Sequence, residues 1–255
     1  DLLVDFQQLP RCRFVTLLSR AEVRLSYPPP WYNRLLYTHW APQTPGYSGK
    51  YRADILAPLG IAWSGQGPEL FLTAEEQRWA ESYLPGFGLE RGRFITLDPT
   101  HRRSTRMWPA RHYAEMIAMV HAARPDVRFF ILFGPGEKDM AREVLERCPV
   151  PEACVLPDTL IGLRQMAAVQ SMARLHVGNC SGPRHFAVSV NTPTLTILGA
   201  TGGGWRFPSE AHSDIFEKMP CRPCNENTCA RKDHACLENL SPRRVADRVM
   251  DILGG

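Results

Sequence analysis

The chain has 255 residues, of which 44% are hydrophobic and 22% are charged, and its formal net charge is +4. This composition is that of a globular protein and excludes a disordered chain or a fibrous repeat. No apolar run reaches the roughly 18 residues that a membrane span needs. The basic residues cluster locally rather than along one face, which argues against nucleic acid as a partner. The length predicts two domains, or one domain and part of another.

The predicted elements alternate between strands and helices along the chain. Near the start, strands are expected at 2–6 and 23–26, and the aromatic stretch from Trp31 to Trp40 that follows fits no pattern. A helix over 73–84 opens with Thr73 and Glu76 as a capping box. From residue 93 the alternation becomes regular, which predicts a parallel, doubly wound sheet. The expected strands are 93–97, 127–133, 153–156, 175–178 and 194–198, and the expected helices are 109–123, 137–147, 161–173, 183–190 and 242–253.

Ligands of an open parallel sheet bind beyond the carboxyl ends of its strands, so the loops there are candidates for a site. Residues 98–109 form a loop rich in hydroxyls and arginines that runs into a helix, and Arg106 with the helix amides suits a phosphate. A solvated basic loop is the alternative. Glu137 follows the next strand, where a carboxylate can accept hydrogen bonds from ribose hydroxyls. Its alternative is a helix-initiating residue that complements the dipole.

Two further loops follow later strands. In 178–185 small residues allow backbone amides to approach an anion, and His185 can donate to an oxygen. A turn with a capping Ser181 and a packing histidine is the alternative. In 199–205 three consecutive glycines favour either close approach to a ligand or a flexible connector.

The eight cysteines fall into two groups. Four are scattered, whereas four crowd into sixteen residues with the spacing Cys-x2-Cys-x4-Cys-x6-Cys. The second group offers thiolates for a tetrahedral structural zinc, and free or disulfide-paired thiols are the alternative because the later spacings differ from a standard zinc ribbon. A disulfide framework is unusual in a chain of this size, which favours the reducing cytoplasm. The crowded residues are Cys221, Cys224, Cys229 and Cys236, and the scattered ones are Cys12, Cys148, Cys154 and Cys180.

Several short runs of the chain resemble the sequence motifs of a single protein family. The runs 178–187, 191–194 and 199–201 are similar in order and spacing to Asp-Ser-Gly-x-x-His, Gly-Thr-Pro and Gly-Pro-Thr, and Arg106-x-Trp-Pro is similar to Lys-x-Trp-Pro. These motifs belong to the ADP-heptose:lipopolysaccharide heptosyltransferases, glycosyltransferase family 9. The cysteine-rich tail also resembles that of many members. The resemblance is good over 93–253 and weaker over 1–8, which is similar to a strand late in the family's first domain.

The resemblance implies an α/β fold of the GT-B type, with two Rossmann-like doubly wound domains and the first only partly present. Residues 1–88 would be a remnant of the N-terminal acceptor-side domain with its linker, and 89–255 the nucleotide-sugar-binding domain. The implied activity is inverting transfer of a heptose or similar sugar from an ADP-sugar to the lipopolysaccharide inner core, with no cofactor in catalysis. Contact of the aromatic stretch with the cytoplasmic face of the inner membrane is compatible with this acceptor.

The resemblance also implies roles for individual residues. Thr100 and Arg106 would contact the diphosphate and Glu137 the ribose. The amides of Ser181 and Gly182 would hold a phosphate. The remaining binding residues that it implies are His185, on the phosphate or sugar, together with Cys180 and Thr201.

Three departures from the family pattern bear on activity. Cys180 stands where the family has an aspartate that is expected to touch the donor sugar, and Arg106 replaces a lysine. The resemblance places the family's catalytic base in an early segment that this chain is expected to lack, so no base is assigned, and Asp1 and Asp5 are predicted to be structural. A nucleotide-sugar-binding protein without transferase activity therefore stays open. So does a transferase or epimerase that uses another nucleotide sugar on the same fold.

Overall fold

The computed structural model describes residues 1–254 and forms two compact units. The first unit comprises Asp1–Gln66 with Gly203–Arg206, and the rest of the chain forms the second. The expected boundary between residues 88 and 89 therefore lies inside the second unit. The reason is packing: the aromatic side chains of Tyr83 and Phe87 contact Phe130 of the second unit's sheet, with ring centroids 6.5 and 6.2 Å away.

The first unit is built on a parallel sheet with the order β1-β2-β3. Strand β1 pairs with β2 in a register that places Leu2 opposite Val23 and Asp5 opposite Ser26. The aromatic stretch forms a 3-10 helix, Trp31–Leu36, and then the short strand β3. The elements are β1 Leu2–Asp5, α1 Pro10–Leu18, β2 Val23–Ser26, β3 His39–Trp40, α2 Ser48–Ala53 and a second 3-10 helix, Asp54–Leu59.

Asp5 has a structural role at the end of β1, as expected. Its carboxylate accepts hydrogen bonds from the backbone amides of Gln7 and Gln8 at 2.9 and 2.8 Å. It also accepts one from the hydroxyl of Tyr37 at 2.7 Å. Burial raises the pKa of Tyr37, and the neighbouring carboxylate adds to that effect. The aspartate thus fixes the turn that leads from β1 into α1.

The second unit contains a six-stranded parallel sheet in the order β6-β5-β4-β7-β8-β9. Counted from the first strand of the unit this order is 3-2-1-4-5-6, the Rossmann order, and it reverses between β4 and β7. The strands are β4 Phe94–Asp98, β5 Arg128–Ile131, β6 Cys154–Val155, β7 Leu175–Asn179, β8 Thr194–Ile197 and β9 His212–Ile215. The helices are α3 Ala74–Tyr83, α4 Ala110–Ala123, α5 Lys138–Arg147, α6 Leu163–Met172, α7 Gly182–Ser189, α8 Ala235–Glu238 and α9 Pro242–Gly254.

Apolar clusters cover this sheet and hold the helices on it. Ile95, Leu97 and Val177 pack with side chains of α4, α5 and α9 in one cluster. Phe94 and Phe130 pack with side chains of α3 and α6 in the other. The strands are therefore fixed on both faces, and the loops at their carboxyl ends start from rigid positions.

The capping box predicted for α3 is present. The amide of Glu76 donates to the Thr73 hydroxyl at 3.2 Å, and the amide of Thr73 donates to the Glu76 carboxylate at 2.8 Å. Among the described residues, no helix is long and apolar enough to cross a membrane.

Candidate functional site

The loops after β4 and β7 meet at the point where the strand order reverses, and Asn179 joins them. Its side-chain oxygen accepts from the amide of Trp108 at 3.0 Å, and its side-chain nitrogen donates to the carbonyl of Thr100 at 3.4 Å. Asn179 is fully buried. The indole of Trp108 in turn donates to the carbonyl of Leu240 at 3.1 Å. One buried amide therefore fixes both ends of the basic loop against the turn before α7.

The turn before α7 leaves the helix amides without a side-chain cap. Ser181 occupies the N-cap position with extended backbone but makes no side-chain capping bond. Its hydroxyl is instead hydrogen-bonded to the carboxyl of Asp98, which is 3% exposed. A Cβ on Gly178 would lie 2.7 Å from the Cβ of Asp98, so glycine is required beside this carboxyl. The first turn of α7 can therefore receive an anion from outside the chain.

Asp98 itself is held in an apolar setting. Burial raises its pKa from 3.8 to about 7, and the charge of Glu137 raises it further, while the hydrogen bond from Ser181 acts in the opposite direction. The folded protein therefore disfavours the charged form of this carboxyl relative to an exposed aspartate.

Glu137 lies across the site from Ser181. Its carboxylate accepts from the hydroxyl of Thr100 at 2.7 Å and from the amide of Gly134 at 3.0 Å. It makes no side-chain capping bond to α5, although it stands at the N-cap position of that helix. The carboxylate thus joins the loops after β4 and β5 rather than capping the helix that follows it.

The loop after β4 supplies a positive charge to the site through Arg106. The Nε of Arg106 is buried and has no hydrogen-bond partner among residues 1–254. Burial lowers the pKa of His101, and the charge of Arg106 lowers it further. Burial raises the pKa of the Cys180 thiol, against the opposing charges of Arg184 and Arg106. Arg106 therefore acts electrostatically on the turn before α7, with a donor left over for a ligand.

Beneath that turn lies a buried ion pair. Arg184 is 1% exposed and pairs with Asp214 of β9 at 3.0 Å. It also donates to the thiol of Cys180 at 3.7 Å. The Cys180 thiol therefore lies next to the guanidinium of Arg184. The aspartate that the family motif has at this position would lie next to the same positive charge.

A cavity of about 430 Å³ opens at this edge of the sheet. Asp98, Glu137 and Gly182 form its polar end. The other walls are mainly apolar, which suits a flat apolar ring attached to a polar group. The apolar lining residues are Leu132, Phe133, Leu160, Ile161, Leu163, Met166 and Phe186.

The chain resembles known proteins over most of its length. The model of the glycosyltransferase family 9 (heptosyltransferase) matches residues 50–235. The chain belongs to this family.

Curated family members are similar along most of the chain. Lipopolysaccharide heptosyltransferase 3 of Escherichia coli is 24% identical over 207 residues, which cover 79% of this chain and 60% of that protein. Lipopolysaccharide heptosyltransferase 1 of Pseudomonas aeruginosa is 27% identical over 225 residues, which cover 76% and 61%. The chain therefore spans about three-fifths of the length of these relatives.

Solved structures of family members share the fold. The glycosyl transferase family 9 protein from Veillonella parvula has a TM-score of 0.77 at 18% identity and covers 99% of this chain and 73% of that chain. The E. coli ADP-heptose lps heptosyltransferase II has a TM-score of 0.70 at 16% identity and covers 99% and 76%. At this identity the likeness concerns the fold alone, and it confirms the α/β, GT-B-type fold class expected for a family 9 chain.

The structure brings most of the expected family site residues to one edge. Glu137 and Gly182 line the cavity, and Thr100 and Ser181 are hydrogen-bonded to carboxyls that line it. Arg106 and Cys180 interact electrostatically beside them. His185, by contrast, is exposed on α7 and is not part of the cavity wall.

Thr201 belongs to a loop that packs behind Arg106. It is 2% exposed, and its hydroxyl has no hydrogen-bond partner within the described part of the chain. The amide of Ala200 donates to the carbonyl of Thr105 at 2.9 Å. The loop after β8 therefore supports the turn that carries Arg106.

Three parts of this site, Asp98, Asn179 and the apolar wall at 160–166, are not among the residues predicted from the sequence. Asp98 and Asn179 end buried strands, and a polar side chain in that place is a usable signal of a site. The wall formed by 160–166 carries no comparable signal, because its apolar side chains read only as part of a core helix.

The cysteine-rich tail packs against the same loops. All four of its cysteines are free thiols and line a cavity of about 70 Å³ together with Thr105 and Arg222. Arg222 donates to the carbonyls of Gly199 and Thr201 at 2.5 and 2.9 Å. Across residues 1–254, no group of three or more His, Cys, Asp or Glu side chains is arranged to hold a metal ion.

Proposed function

We propose that this chain binds an ADP-sugar at the carboxyl edge of β4 and β7 and takes part in inverting transfer of a heptose or similar sugar to the lipopolysaccharide inner core. One observation carries the proposal. The uncapped start of α7, the partly unpaired Arg106 and a cavity with carboxyls at one end converge where the strand order reverses. This position is the usual nucleotide site of an open parallel sheet.

The diphosphate would bind at the start of α7. The amides of Ser181 and Gly182 are available there, and the helix dipole favours negative charge. Arg106 adds a cation with a buried donor that has no partner within residues 1–254. During transfer the same groups would stabilise the charge that develops on the leaving diphosphate.

The nucleoside would occupy the cavity. Its apolar walls suit a purine ring, and Glu137 stands at the polar end where ribose hydroxyls can donate to it. Two solved E. coli heptosyltransferase structures with this fold contain ADP-2-deoxy-2-fluoro heptose and ADP, at TM-scores of 0.68 and 0.65. These ligands support adenosine as the nucleoside.

A nucleotide-sugar-binding protein without transfer activity is the second candidate. The observation that favours it is Cys180, whose buried thiol contacts Arg184 and provides no carboxylate to the donor sugar. An assay for release of ADP from an ADP-heptose in the presence of acceptor separates the two: turnover excludes the binding protein, and affinity without turnover excludes the transferase.

The binding proposal is tested by calorimetric titration with ADP and UDP. We expect ADP to bind more tightly, and Arg106→Ala to weaken ADP binding by about tenfold or more, because a charge-assisted hydrogen bond is lost. Arg102 is exposed in the same loop, so Arg102→Ala is the matched control and should leave the affinity unchanged. Equal affinities in the two variants would contradict the assigned role of Arg106.

We also propose that the first unit contacts the membrane that carries the acceptor. Trp31 and Leu35 are 80% and 96% exposed, and Arg13 and Arg34 lie over the rings of Tyr32 and Trp40. Exposed aromatic side chains with nearby cations suit an anionic lipid surface. Co-sedimentation with anionic vesicles should fall when Trp31 and Leu35 are replaced by serine, and unchanged co-sedimentation would rule the contact out.

A structural zinc at the cysteine-rich tail remains a proposal. The support is the donor set: four thiols line one cavity, and thiolates are ligands that zinc prefers. Within residues 1–254 these thiols are not arranged to hold a metal ion, so zinc binding requires them to move closer together. When bound, the metal would stiffen the segment that holds the loops behind Arg106. Metal analysis of protein purified without added zinc should give about one equivalent. Less than about half an equivalent would end the idea.

A further inference from the structure

Asp98 places an acidic group inside a site that is proposed to bind an anion. Its side chain is 3% exposed, lines the cavity and is hydrogen-bonded to Ser181 at the start of α7. A Cβ on Gly178 would lie 2.7 Å from the Cβ of Asp98, so only glycine lets β7 pack this closely against the base of the side chain. A carboxylate here would repel a diphosphate at the same helix end. A diphosphate can therefore bind well at this helix end only if the negative charge on Asp98 is neutralised.

The hydrogen bond between Asp98 and Ser181 can run in two directions. An ionised carboxylate has no proton, so Ser181 must donate its single hydroxyl proton to Asp98. A protonated carboxyl can instead donate to the oxygen of Ser181. The serine proton is then free to be donated to a ligand oxygen.

We propose that Asp98 is a positioning residue that couples proton uptake to nucleotide binding at this turn. One proton moves from solvent to the carboxyl as the diphosphate enters, and the serine hydroxyl then donates to a phosphate oxygen. A bond to hydrogen breaks on the solvent hydronium ion or buffer acid that supplies the proton, and an O–H bond forms on Asp98. This inference rests on the proposed function, because it places the diphosphate at the start of α7.

The groups that face Asp98 come from three elements. Ser181 lies at the start of α7, Glu137 follows β5, and the hydroxyl of Tyr113 on α4 donates to the backbone carbonyl of Asp98 at 3.4 Å. Burial raises the pKa of Asp98 to about 7, Glu137 adds to the rise, and Ser181 opposes it. Close to neutral pH the carboxyl is therefore near its midpoint, and a bound diphosphate would favour the protonated form.

Other titratable groups around the turn change charge in different pH ranges. Burial lowers the pKa of His101, which moves the titration of the imidazole further below pH 7. Burial raises the pKa values of Cys180 and Tyr113, which moves the titration of these groups to higher pH. A change in nucleotide affinity with pH above about pH 7 is therefore assigned to Asp98 and not to these three groups.

The test is calorimetric titration with ADP-ribose from about pH 6 to about pH 8.5, in two buffers of different ionisation enthalpy. Both phosphates of ADP-ribose are esterified, so the probe has no proton to exchange in this range. We expect the protein to take up about one proton per site at the upper end, and its affinity to fall by about tenfold per pH unit above pH 7. Asp98→Asn should take up no proton and bind ADP-ribose with an affinity that hardly changes with pH.

The outcomes separate this inference from the proposed function. Tight binding with no proton uptake, and with the same pH profile in both proteins, would overturn the coupling alone. Failure of both proteins to bind ADP-ribose at any pH would overturn the proposed function and the inference with it.

Ser181→Ala provides a second test that does not depend on how well Asp98→Asn folds. Above pH 7 the wild-type protein gives up the hydrogen bond from Ser181 to the ionised carboxylate when it binds the diphosphate, so the hydroxyl should help binding least there. We therefore expect the ratio of the wild-type affinity to the variant affinity to be about tenfold near pH 6 and close to one near pH 8.5. A ratio that does not change with pH would overturn the reorientation of the serine.

Discussion

Asp98 is a buried carboxyl whose charge affects the stability of the second unit. Its pKa rises from 3.8 to about 7 on folding, with burial as the largest cause. Between these two pH values the folded protein holds the proton more tightly than the unfolded chain. The stabilising contribution of Asp98 is therefore fully present below about pH 4, and it is lost as the pH rises through about 7.

Asp98→Asn should consequently stabilise the protein above neutral pH. At pH 8 we expect the free energy of unfolding to rise by about 1–3 kcal/mol, because the amide keeps the shape of the side chain without its charge. Near pH 4 the gain should disappear. Urea unfolding at several pH values measures both.

The control for this prediction is Asp126→Asn. Asp126 is exposed and is paired with Arg124, which lowers the pKa of its carboxyl, so its removal should bring no gain at pH 8. An Asp98→Asn protein that is less stable than the wild type at pH 8 would contradict the destabilising effect assigned to the charge of Asp98.

Single residues of the site differ in how far the sequence could place them. Thr100, Glu137, Ser181 and Gly182 were predictable, because each lies between the end of a buried strand and the first turn of the next helix, and the edge of a parallel sheet gathers such positions. His185 lies further along α7, where the helical turn rather than the strand end decides the direction of the side chain. Its exposure follows from that register, which the motif alone does not reveal.

At the scale of elements, the turn that carries Arg106 depends on its neighbours. The hydroxyl of Thr105 donates to the carbonyl of Glu226 at 2.9 Å, and its own carbonyl accepts from the amide of Ala200 at 2.9 Å. Arg222 holds the loop after β8 through the carbonyls of Gly199 and Thr201. The conformation of the basic loop is therefore set by segments that follow it by about a hundred residues in the sequence.

Gly199→Ala tests this dependence. A Cβ at this position would lie 2.3 Å from the carbonyl oxygen of Thr105, so the turn that carries Arg106 must shift. We expect ADP affinity to fall by about tenfold, with a stability loss of about 1–3 kcal/mol. Calorimetry and urea unfolding check the two effects.

Gly86→Ala serves as its control, because a Cβ there meets nothing within 4 Å. That variant should keep the wild-type affinity. If Gly199→Ala bound ADP as tightly as Gly86→Ala does, the loop after β8 would have no part in positioning Arg106.

The elements themselves were largely predictable in the second unit. Its strands are apolar runs between helices with capping or proline signals, so β4, β5, β7 and β8 lie close to the predicted ranges. Strand β9 was missed because three of its four residues, His212–Asp214, are polar and only Ile215 is apolar. Its pairing with β8 places Thr194 opposite His212. Helix α1 was missed because it begins at Pro10 without a side-chain cap and buries only Thr16.

For the molecule as a whole, the sheet order accounts for the position of the candidate site. The reversal between β4 and β7 separates two loops, and the side chain of Asn179 joins their backbones across the gap. The chain belongs to glycosyltransferase family 9 and shares its fold with solved family members. The order of strands was not predictable from the sequence pattern, because alternation of strands and helices is compatible with more than one doubly wound order.

A crystal structure of the chain with ADP tests the central claim most directly. We predict the diphosphate against the amides of Ser181 and Gly182 with Arg106 donating to it, and the adenosine in the cavity beside Glu137. ADP bound elsewhere on the chain, with the start of α7 empty and Arg106 turned away, would contradict the account.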